Sequence, residues 1–498
     1  MSKPEFDLLI KNTRVVRPHG NVVFDADIAI SGGKVALVAP GIDITRAKAV
    51  HDGKHRLAFP GVVDAHMHSG IYSPLEEDAV TESKAAAMGG VTSSLNYFRT
   101  GQYYMNKGGP YKKFYPEVLK TAKNRFHVDY GFHLAPMDST HIKEIPELIE
   151  KFGVPSFKIF MFYGSHGLHG ASDAQREFLM IGKDEKYDYA HFEFIMRGIQ
   201  AAREQMPHLA DQISLSLHCE TAEIMTAYTK IVEKDKSLKG LAAYSASRPQ
   251  HSEGLAVFIA SYLAHETALP NINLLHLSSR KAVQAAMMMA ETFPHIDFKR
   301  EVTIGHLMLD ITSKAAELAK VNPPIRPRAD VEFLWDALLA GELDWVVSDH
   351  ACCRHEMKVP KQYGGEYGGK YFDKIWLAKS GFGGTEYMLP ALISEGTRRG
   401  MGYNHMARVT SWNPAQRYGL NSKGDIAAGF DADIALVDTA KTWTIHAKNS
   451  PSTQGYTPFE GLEMSARVDE TFLRGKLIYQ NGQVLGKPSG QYLFRPTA

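Results

Sequence analysis

The stretch LAFPGVVDAHMH, residues 57–68, decides the fold because it reads as an apolar strand that ends in two histidines. Residues i and i+2 of a strand lie on the same side, so His66 and His68 present two imidazoles to one face. A chain with 22 histidines in 498 residues contains about one His-x-His by chance. The spacing therefore gains meaning only from the segments that follow.

Seven more short apolar stretches follow, and longer helical patterns alternate with them, which is typical of a parallel sheet of β–α units. Eight strands are the number that closes a barrel, in which catalytic groups lie at the C-terminal strand ends. The predicted strands are LAFPGVVDAH (57–66), VTSSLNY (91–97), VDYGFHLA (128–135), SFKIFMF (156–162), ISLSLHC (213–219), NINLLHL (271–277), KREVTI (299–304) and DWVVSD (344–349).

Both ends of the chain have a different texture, with short β-rich runs separated by glycine turns. DLLIKNTRVV (7–16) and VVFDADIAI (22–30) at the start resemble DADIALVD (431–438) and ETFLRGKLIYQNGQVL (470–485) near the end. The sequence therefore predicts an α/β protein with a (β/α)8 TIM-like barrel over residues 59–427. A small β-sandwich domain is expected from residues 1–58 and 428–498 together.

Composition excludes several classes of protein. The chain has 56 Lys+Arg, 55 Asp+Glu and a formal net charge of +1, so we expect neither nucleic acid nor an anionic membrane as a partner. No apolar run approaches the roughly 18 residues that span a bilayer, and the N-terminus lacks a signal-peptide core. Three cysteines cannot form a disulfide framework. We expect a cytoplasmic protein.

Three further polar residues end predicted strands: His218 in LSLHCE, His276 in NLLHLSS and Asp349 in VVSDH. One such histidine is usually a core residue. Four histidines and an aspartate, all at C-terminal strand ends, instead indicate a metal site. Nitrogen and oxygen ligands without thiolate suit zinc, with manganese and cobalt as alternatives.

The fourth predicted strand carries Lys158 within SFKIFMF, among apolar neighbours. An unpaired ammonium is costly to bury, and a buried lysine has a lowered pKa and can act as a nucleophile. A snorkelling lysine paired to a carboxylate is one reading. The other is reaction with carbon dioxide to give a carbamate, whose two oxygens can bridge two metal ions.

AFPGVVDAHMH, SFKIFMFY, LSLHCE, LLHLSS and VVSDH, in this order, resemble the metal-ligand segments of the amidohydrolase superfamily. The resemblance is to its cyclic amidohydrolase branch, the dihydropyrimidinases and hydantoinases. It extends over nearly the whole chain through ESKAAAMGGVT, VDYGFHLA, NPPIRPRADVEFLWDAL, SWNPAQRYGL, GDIAAGFDADIALVD and the terminal GQYLFRP.

This resemblance implies two divalent metal ions, with N6-carboxylated Lys158 and a hydroxide between them. It implies His66, His68 and Asp349 on one ion and His218 and His276 on the other. Asp349 would accept the proton of the attacking water and return it to the departing nitrogen. Tyr163 matches a tyrosine that hydrogen-bonds the developing oxyanion in dihydropyrimidinases; a core tyrosine is the alternative. A homotetramer is also implied.

Some positions depart from the family pattern. Dihydroorotases usually carry an arginine where this chain has Gly70, so that activity is disfavoured. Allantoinases generally lack a tyrosine at the place of Tyr163, which favours dihydropyrimidinases and hydantoinases. The ring-binding main-chain segments become Asn322-Pro323-Pro324 and Ser380-Gly381 here. The aromatic-rich segments 97–115 and 350–376 are expected to wall a pocket, close as a lid or form a subunit interface.

The leading hypothesis is therefore a metal-dependent hydrolase that opens a cyclic amide or imide to an N-carbamoyl or similar acid. One alternative is hydrolysis of a non-cyclic amide, a carbamate or an aryl amide by the same centre. A second is a non-catalytic relative such as the collapsin-response-mediator proteins, against which the complete ligand set argues. A third is a mononuclear deaminase, against which Lys158 argues.

Overall fold

A nine-stranded mixed sheet joins the two ends of the chain in the computed structural model, which describes residues 4–163, 175–359 and 373–497. Its order is β19-β18-β17-β14-β5-β1-β2-β3, with β4 beside β1. The strands are β1 (Phe6–Val15), β2 (Phe24–Ser31), β3 (Lys34–Ala39), β4 (Ala47–Asp52), β5 (Leu57–Pro60), β14 (Ile434–Asp438), β17 (Arg467–Leu473), β18 (Lys476–Gln480) and β19 (Gln483–Val484). A short hairpin joins β15 (Trp443–Thr444) to β16 (Glu463–Met464).

Eight parallel strands pair in chain order to form the central barrel. A bridge between Met67 and His350 connects the first strand to the residues that follow the last. Since each predicted strand has its counterpart, the parallel eight-stranded barrel is confirmed. Its strands are β6 (Val62–Met67), β7 (Val91–Phe98), β8 (Asp129–Leu134), β9 (Ser156–Phe160), β10 (Ser214–His218), β11 (Asn271–Leu274), β12 (Asp297–Thr303) and β13 (Trp345–Val347).

The stretch 57–66, predicted as one strand, is divided at Gly61 between the two sheets. β5 ends at Pro60 and pairs with β14, whereas β6 begins at Val62 and pairs with β7. The Gly61 N–H donates to the Asp433 carbonyl at 2.8 Å, so the break lies where the two sheets meet. Both strands are fully buried, and a continuous apolar run therefore gave no sign of the division.

Helices connect the barrel strands and cover the sheet, as the alternating pattern predicts. Helix α3 shows how the sequence sets their limits: Asp138 accepts the N–H groups of Thr140 and His141, and Gly153 ends the helix with φ of 63°. The helices are α1 (Leu75–Met88), α2 (Tyr111–Ala122), α3 (Ser139–Phe152), α4 (Gln175–Leu179), α5 (Tyr189–Gln205), α6 (Ala222–Val232), α7 (Gly240–Ser247), α8 (Gln250–Glu266), α9 (Arg280–Thr292), α10 (Ile304–Met308), α11 (Arg328–Leu339), α12 (His355–Lys358), α13 (Thr385–Arg398), α14 (Tyr403–Ala407) and α15 (Asn413–Arg417).

The barrel strands β6 to β10 are buried along their whole length, on the inner and the outer face. Polar side chains on these strands therefore need partners inside the protein. Across the residues described, no helix is both long enough and apolar enough to cross a membrane.

Candidate metal centre

The six residues predicted as metal ligands come together at the C-terminal side of the barrel. They lie on or directly after β6, β9, β10, β11 and β13, so five strands contribute to one site. All six are at most 9% exposed. The residues are His66, His68, Lys158, His218, His276 and Asp349.

His66, His68 and Asp349 form the tightest group. Asp349 Oδ1 lies 3.1 Å from His66 Nε2 and 3.2 Å from His68 Nε2. One potential ligand atom from each residue lies within 4.8 Å of the others. Two imidazole nitrogens and one carboxylate oxygen at this spacing suit a zinc-like ion.

Lys158 lies beside this group. Its Nζ is 3.2 Å from His66 Nε2, and it lies 4.0 Å from the ring centroid of Tyr97 and 4.4 Å from that of Phe160. Burial lowers the pKa of the Lys158 amine, although Asp349 and Glu301 oppose the shift. A neutral amine in this position can react with carbon dioxide.

His218 and His276 form a second pair, with ring centroids 4.2 Å apart and an interplanar angle of 72°. Glu220 contacts His218 Nε2 at 2.7 Å, which leaves Nδ1 of that ring free to bind a ligand. The Nδ1 atom of His276 is buried and has no hydrogen-bond partner within the described ranges. A buried ring nitrogen without a partner is a further sign that this pair fits a cation.

The backbone is strained at two of the ligands. His276 has φ of 34° and Asp349 has φ of 53°, a region that non-glycine residues rarely adopt. Both residues come directly after barrel strands, where the chain turns toward the site. Strain of this kind persists only where the surroundings hold it, and it concentrates at functional sites.

The protonation states favour metal binding. Burial lowers the pKa values of all four histidines, that of His218 to about 4. Their imidazoles are therefore neutral at pH 7, which is the form that binds metal. Burial alone would raise the pKa of Asp349, but His66 and His68 hold it below its usual value, so the carboxylate is ionised.

A second layer of residues contacts the candidate ligands, and none of these residues was predicted from the sequence. Glu301 on β12 contacts His66 Nδ1 at 2.7 Å and accepts from the indole N–H of Trp345 at 2.9 Å. Glu220 accepts two hydrogen bonds from Arg248, at 2.9 and 2.6 Å. Such partners fix the orientation of a metal-binding imidazole. Among these residues, Glu220 is the one that could have been predicted, because it lies two residues after His218.

The two predicted substrate-binding positions meet on one wall of the site. Ser380 Oγ donates to Asn322 Oδ1 at 3.3 Å, and the Tyr244 hydroxyl donates to the same oxygen. Both line a cavity together with five of the six ligands. Nδ2 of Asn322 is buried without a partner, whereas the Ser380 carbonyl accepts from the Tyr72 hydroxyl at 2.6 Å.

Tyr163 packs against a residue that lines that cavity. Its ring centroid is 4.8 Å from that of Phe160, which lines the cavity, and its hydroxyl accepts a hydrogen bond from Arg99 at 3.0 Å. Arg99 follows β7 and, like Glu301, was not predicted. Its role could not be inferred from a lone arginine in a loop.

The segment 97–115 packs onto this face and brings the Tyr104 hydroxyl to 2.6 Å from His68 Nδ1. The other aromatic segment, 350–376, lies partly outside the described residues, at positions 360–372. Gly70 has φ of +85°, and a Cβ there would lie 3.2 Å from Leu75 Cβ. An arginine at position 70 would be strained, which explains why a dihydroorotase-like clamp does not fit.

Comparisons with known proteins agree with this geometry. The amidohydrolase family model matches residues 264–478. An allantoinase of Rubrobacter xylanophilus is 28% identical over 98% of this chain and 97% of its own length, and a D-hydantoinase of Geobacillus stearothermophilus is 29% identical over 98% and 96%. The crystal structure of dihydropyrimidinase from Brevibacillus agri superposes with a TM-score of 0.81 at 26% identity, over 98% of both chains. The resemblance to the amidohydrolases, and to their dihydropyrimidinase and hydantoinase branch, is therefore confirmed.

Proposed function

We propose that this protein is a metal-dependent hydrolase that opens a cyclic amide or imide, of the dihydropyrimidine or hydantoin kind, to an N-carbamoyl or similar acid. One observation carries the proposal: four histidines and an aspartate from four strands converge on one buried centre beside Lys158 of a fifth strand, whose pKa is lowered. The similarity to proteins named allantoinase, D-hydantoinase and dihydropyrimidinase supports the choice of a cyclic C–N bond.

The donor set fits two divalent ions, zinc or else manganese or cobalt. His66, His68 and Asp349 would hold one ion, His218 and His276 the other, and carboxylated Lys158 would connect them. The unpartnered Nδ1 of buried His276 and the neutral imidazoles support this assignment. When bound, such ions lower the pKa of water so that hydroxide is available at neutral pH.

Carboxylation of Lys158 needs only carbon dioxide and involves no oxidation or reduction. The neutral amine attacks carbon dioxide, a C–N bond forms, and one proton leaves to give a carbamate anion. Burial favours the neutral amine that this reaction needs. The product is an anion next to four imidazoles, where it could bind cations.

The protein's own residues would then carry the proton transfers and the binding. Asp349, as the base, would take the proton of the attacking water and return it to the departing ring nitrogen. The Tyr163 hydroxyl would donate to the carbonyl oxygen as negative charge develops there. Asn322 and Ser380 would hold the ring, and the unpartnered Nδ2 of Asn322 is a donor suited to a ring carbonyl.

The test is a turnover screen with metal analysis on the same preparation. Dihydrouracil, 5-substituted hydantoins, allantoin, cyclic imides and linear aryl amides are compared by release of the ring-opened or cleaved acid. We expect turnover of a cyclic amide with two ions per chain. Full activity with one ion per chain would overturn the binuclear centre, and turnover of linear amides alone would overturn the ring-opening reaction.

A matched pair of variants assigns the activity to this site. Asp349→Asn should lower kcat at least ~1000-fold, because both a ligand and the base are lost. Asp344→Asn, at the other end of the same strand, removes a carboxylate that pairs with Arg300 at 3.2 Å. We expect this control to retain turnover. Equal losses in both variants would indicate damage to the fold.

We also propose a domain arrangement. Residues 1–58 and 428–498 would form a small β-sandwich domain, and residues 59–427 the barrel. The pairing of β14 with β5 and β17 supports it, because it joins the two chain ends in one sheet. The homotetramer and the cytoplasmic location stay predictions.

A further inference from the structure

Arg99 is a buried guanidinium on the catalytic side of the barrel, in the loop that follows β7. Its exposed fraction is 0%, and its Cζ lies 4.8 to 5.4 Å from the ring centroids of Tyr104, Tyr163 and Phe178. A Cβ at Gly101, which has φ of +106°, would lie 2.8 Å from Arg99 Nη1, so glycine makes room for the guanidinium there.

Arg99 is held differently from other buried arginines of the site region. Arg248 pairs with Glu220 at 2.6 Å and Arg326 with Glu253 at 3.3 Å, whereas no carboxylate of the described residues forms an ion pair with Arg99. Its Nη1 donates to the carbonyls of Thr100 and Gln102, and its buried Nη2 has no partner among the residues that the structure describes. Among the described residues, Arg99 therefore balances no structural carboxylate.

The remaining donor fixes the orientation of a phenol. Arg99 Nε–H donates to the Tyr163 hydroxyl oxygen at 3.0 Å. A guanidinium can only donate, so the phenol oxygen must accept, and its own proton must point away from Arg99. Phe160, which packs on the Tyr163 ring, lines the cavity.

We propose that Arg99 is a positioning residue for Tyr163: its Nε–H holds the phenol oxygen so that the phenol O–H is directed at the carbonyl oxygen of the substrate. This inference rests on the proposed function of Tyr163. A cationic donor also strengthens the phenol as a hydrogen-bond donor, because it stabilises charge that shifts onto the phenol oxygen. The benefit arises as the oxyanion forms, so it acts on kcat more than on KM.

The test is a double-mutant cycle on the metal-loaded enzyme, with dihydrouracil and 5-phenylhydantoin as probes. Arg99→Met should lower kcat roughly 10- to 100-fold, as expected for loss of a hydrogen bond from a charged group, with little change in KM. In the Tyr163→Phe background the same change should cost less than about 2-fold, since the phenol it positions is gone. Arg99→Lys should recover part of kcat, because the ammonium can still donate.

The outcomes separate the two ideas. If Tyr163→Phe leaves kcat unchanged, the proposed role of Tyr163 is wrong, and the role of Arg99 falls with it. If Tyr163→Phe lowers kcat but Arg99→Met has the same effect in both backgrounds, only the positioning role is overturned. Arg417→Met, which removes a buried arginine that pairs with Asp297 at 2.8 Å, controls for general damage to the barrel.

A second measurement needs no turnover. Tyrosines labelled with ¹³C at Cζ are titrated by NMR, and Tyr163→Phe identifies the signal of Tyr163. Burial raises the pKa of Tyr163, and Arg99 opposes the rise. We therefore expect a further increase in Arg99→Met. An unchanged or lower pKa would show that Arg99 does not act on this phenol, even if no substrate has been found.

Discussion

Two buried lysines of the barrel, Lys158 and Lys423, have opposite surroundings. Lys158 is 1% exposed and Lys423 is 2% exposed, so burial does not distinguish them. Lys423 Nζ lies 2.7 Å from Asp433, 2.9 Å from Asp129 and 3.1 Å from Asp431. For Lys158, the only polar contact among the described residues is His66 Nε2 at 3.2 Å.

The pKa shifts follow from these surroundings. Burial lowers the pKa of both amines, but the aspartates around Lys423 more than compensate and raise it above its usual value. The pKa of Lys158 stays lowered. The ammonium of Lys423 is therefore fixed in its charged form, whereas the amine of Lys158 is available for reaction.

The two lysines differ in pairing because they lie toward opposite ends of the barrel strands. Asp129 begins β8, so the Lys423 group lies at the N-terminal ends of the strands, next to the sheet that Asp433 leads into. Lys158 faces the C-terminal side, where catalytic groups of such barrels lie. Charge is fully paired at one end, which serves stability, and incompletely paired at the other, where a bound group can complete it.

Replacing Lys158 should have the largest effect on activity. Lys158→Ala should lower kcat at least ~1000-fold, because the bridge that holds the second ion is lost. The unfolding free energy of the metal-free protein should not fall by much, since no carboxylate of the described residues pairs with Lys158. Turnover, metal content and urea unfolding are measured together. Added propionate should restore part of the activity by replacing the carbamate; near-wild-type turnover without it would make Lys158 a structural residue.

Replacing Lys423 should lower the stability of the fold and leave kcat unchanged, the reverse of the result expected for Lys158. Lys423→Met leaves Asp433 buried without its cation and leaves Asp129 paired with Arg474 alone, which should lower the unfolding free energy by about 3–5 kcal/mol. The kcat of the folded fraction should be unchanged. Lys34→Met is the control, because Lys34 pairs with Asp431 at 3.3 Å but is 48% exposed, and it should cost less than about 1 kcal/mol. A loss of kcat with unchanged stability would contradict the contrast between the two ends.

The sequence predicted the strands and the positions of the candidate ligands at their ends, because both leave local patterns. The eight barrel strands are short apolar runs, and His66, His68, His218, His276 and Asp349 all come at or just after their ends. Strand ends converge in a parallel barrel, so residues far apart in sequence could be placed together without a structure.

The second layer could not be predicted, because its contacts depend on the packing of elements distant in sequence. Glu301 is one acid within an otherwise ordinary strand, and its contact with His66 spans 235 positions. Arg99 and Tyr104 reach the site from a loop. The path of a loop cannot be predicted from a periodic sequence pattern, as that of a helix or strand can. The break at Gly61 was missed for another reason: both strands beside it are equally buried.

Replacing the Tyr163 phenol tests whether catalysis at the C-terminal end of the barrel depends on a side chain other than the proposed metal ligands. Tyr163→Phe should lower kcat about 100- to 1000-fold, the usual loss for an oxyanion donor, with metal content unchanged. Tyr115→Phe is the control, since its buried hydroxyl contacts Tyr492 at 2.7 Å on the outer side of the barrel. It should retain kcat. If Tyr163→Phe mainly raised KM, Tyr163 would be a wall of the pocket, and carbonyl polarisation would fall to the metal ions alone.

We expect the smallest effect on stability at Glu470 on β17, a paired carboxylate in the nine-stranded sheet. Its carboxylate accepts from Arg56 at 2.7 Å and Gln480 at 2.9 Å and contacts His51 at 2.8 Å. Burial alone would raise its pKa, but His51, Gln480 and Arg56 hold it at about 2, below the usual 4.5. The folded state thus binds this proton less readily than the unfolded state, so the stabilisation is complete above pH 4.5 and declines as the pH falls toward 2.

Glu470→Gln should therefore cost about 1.5–3 kcal/mol of unfolding free energy at pH 7, the usual worth of hydrogen bonds to a charged group. The difference from the wild type should shrink between pH 5 and pH 3, because the wild type then loses the same charge. Urea unfolding at pH 7, 5, 4 and 3 measures it, with Glu463→Gln on the exposed edge of β16 as the control. Parallel curves for the wild type and Glu470→Gln over this range would mean that Glu470 gains nothing from its partners. Complete pairing would then be a property of the Lys423 group alone, rather than of the whole junction between the sheet and the barrel.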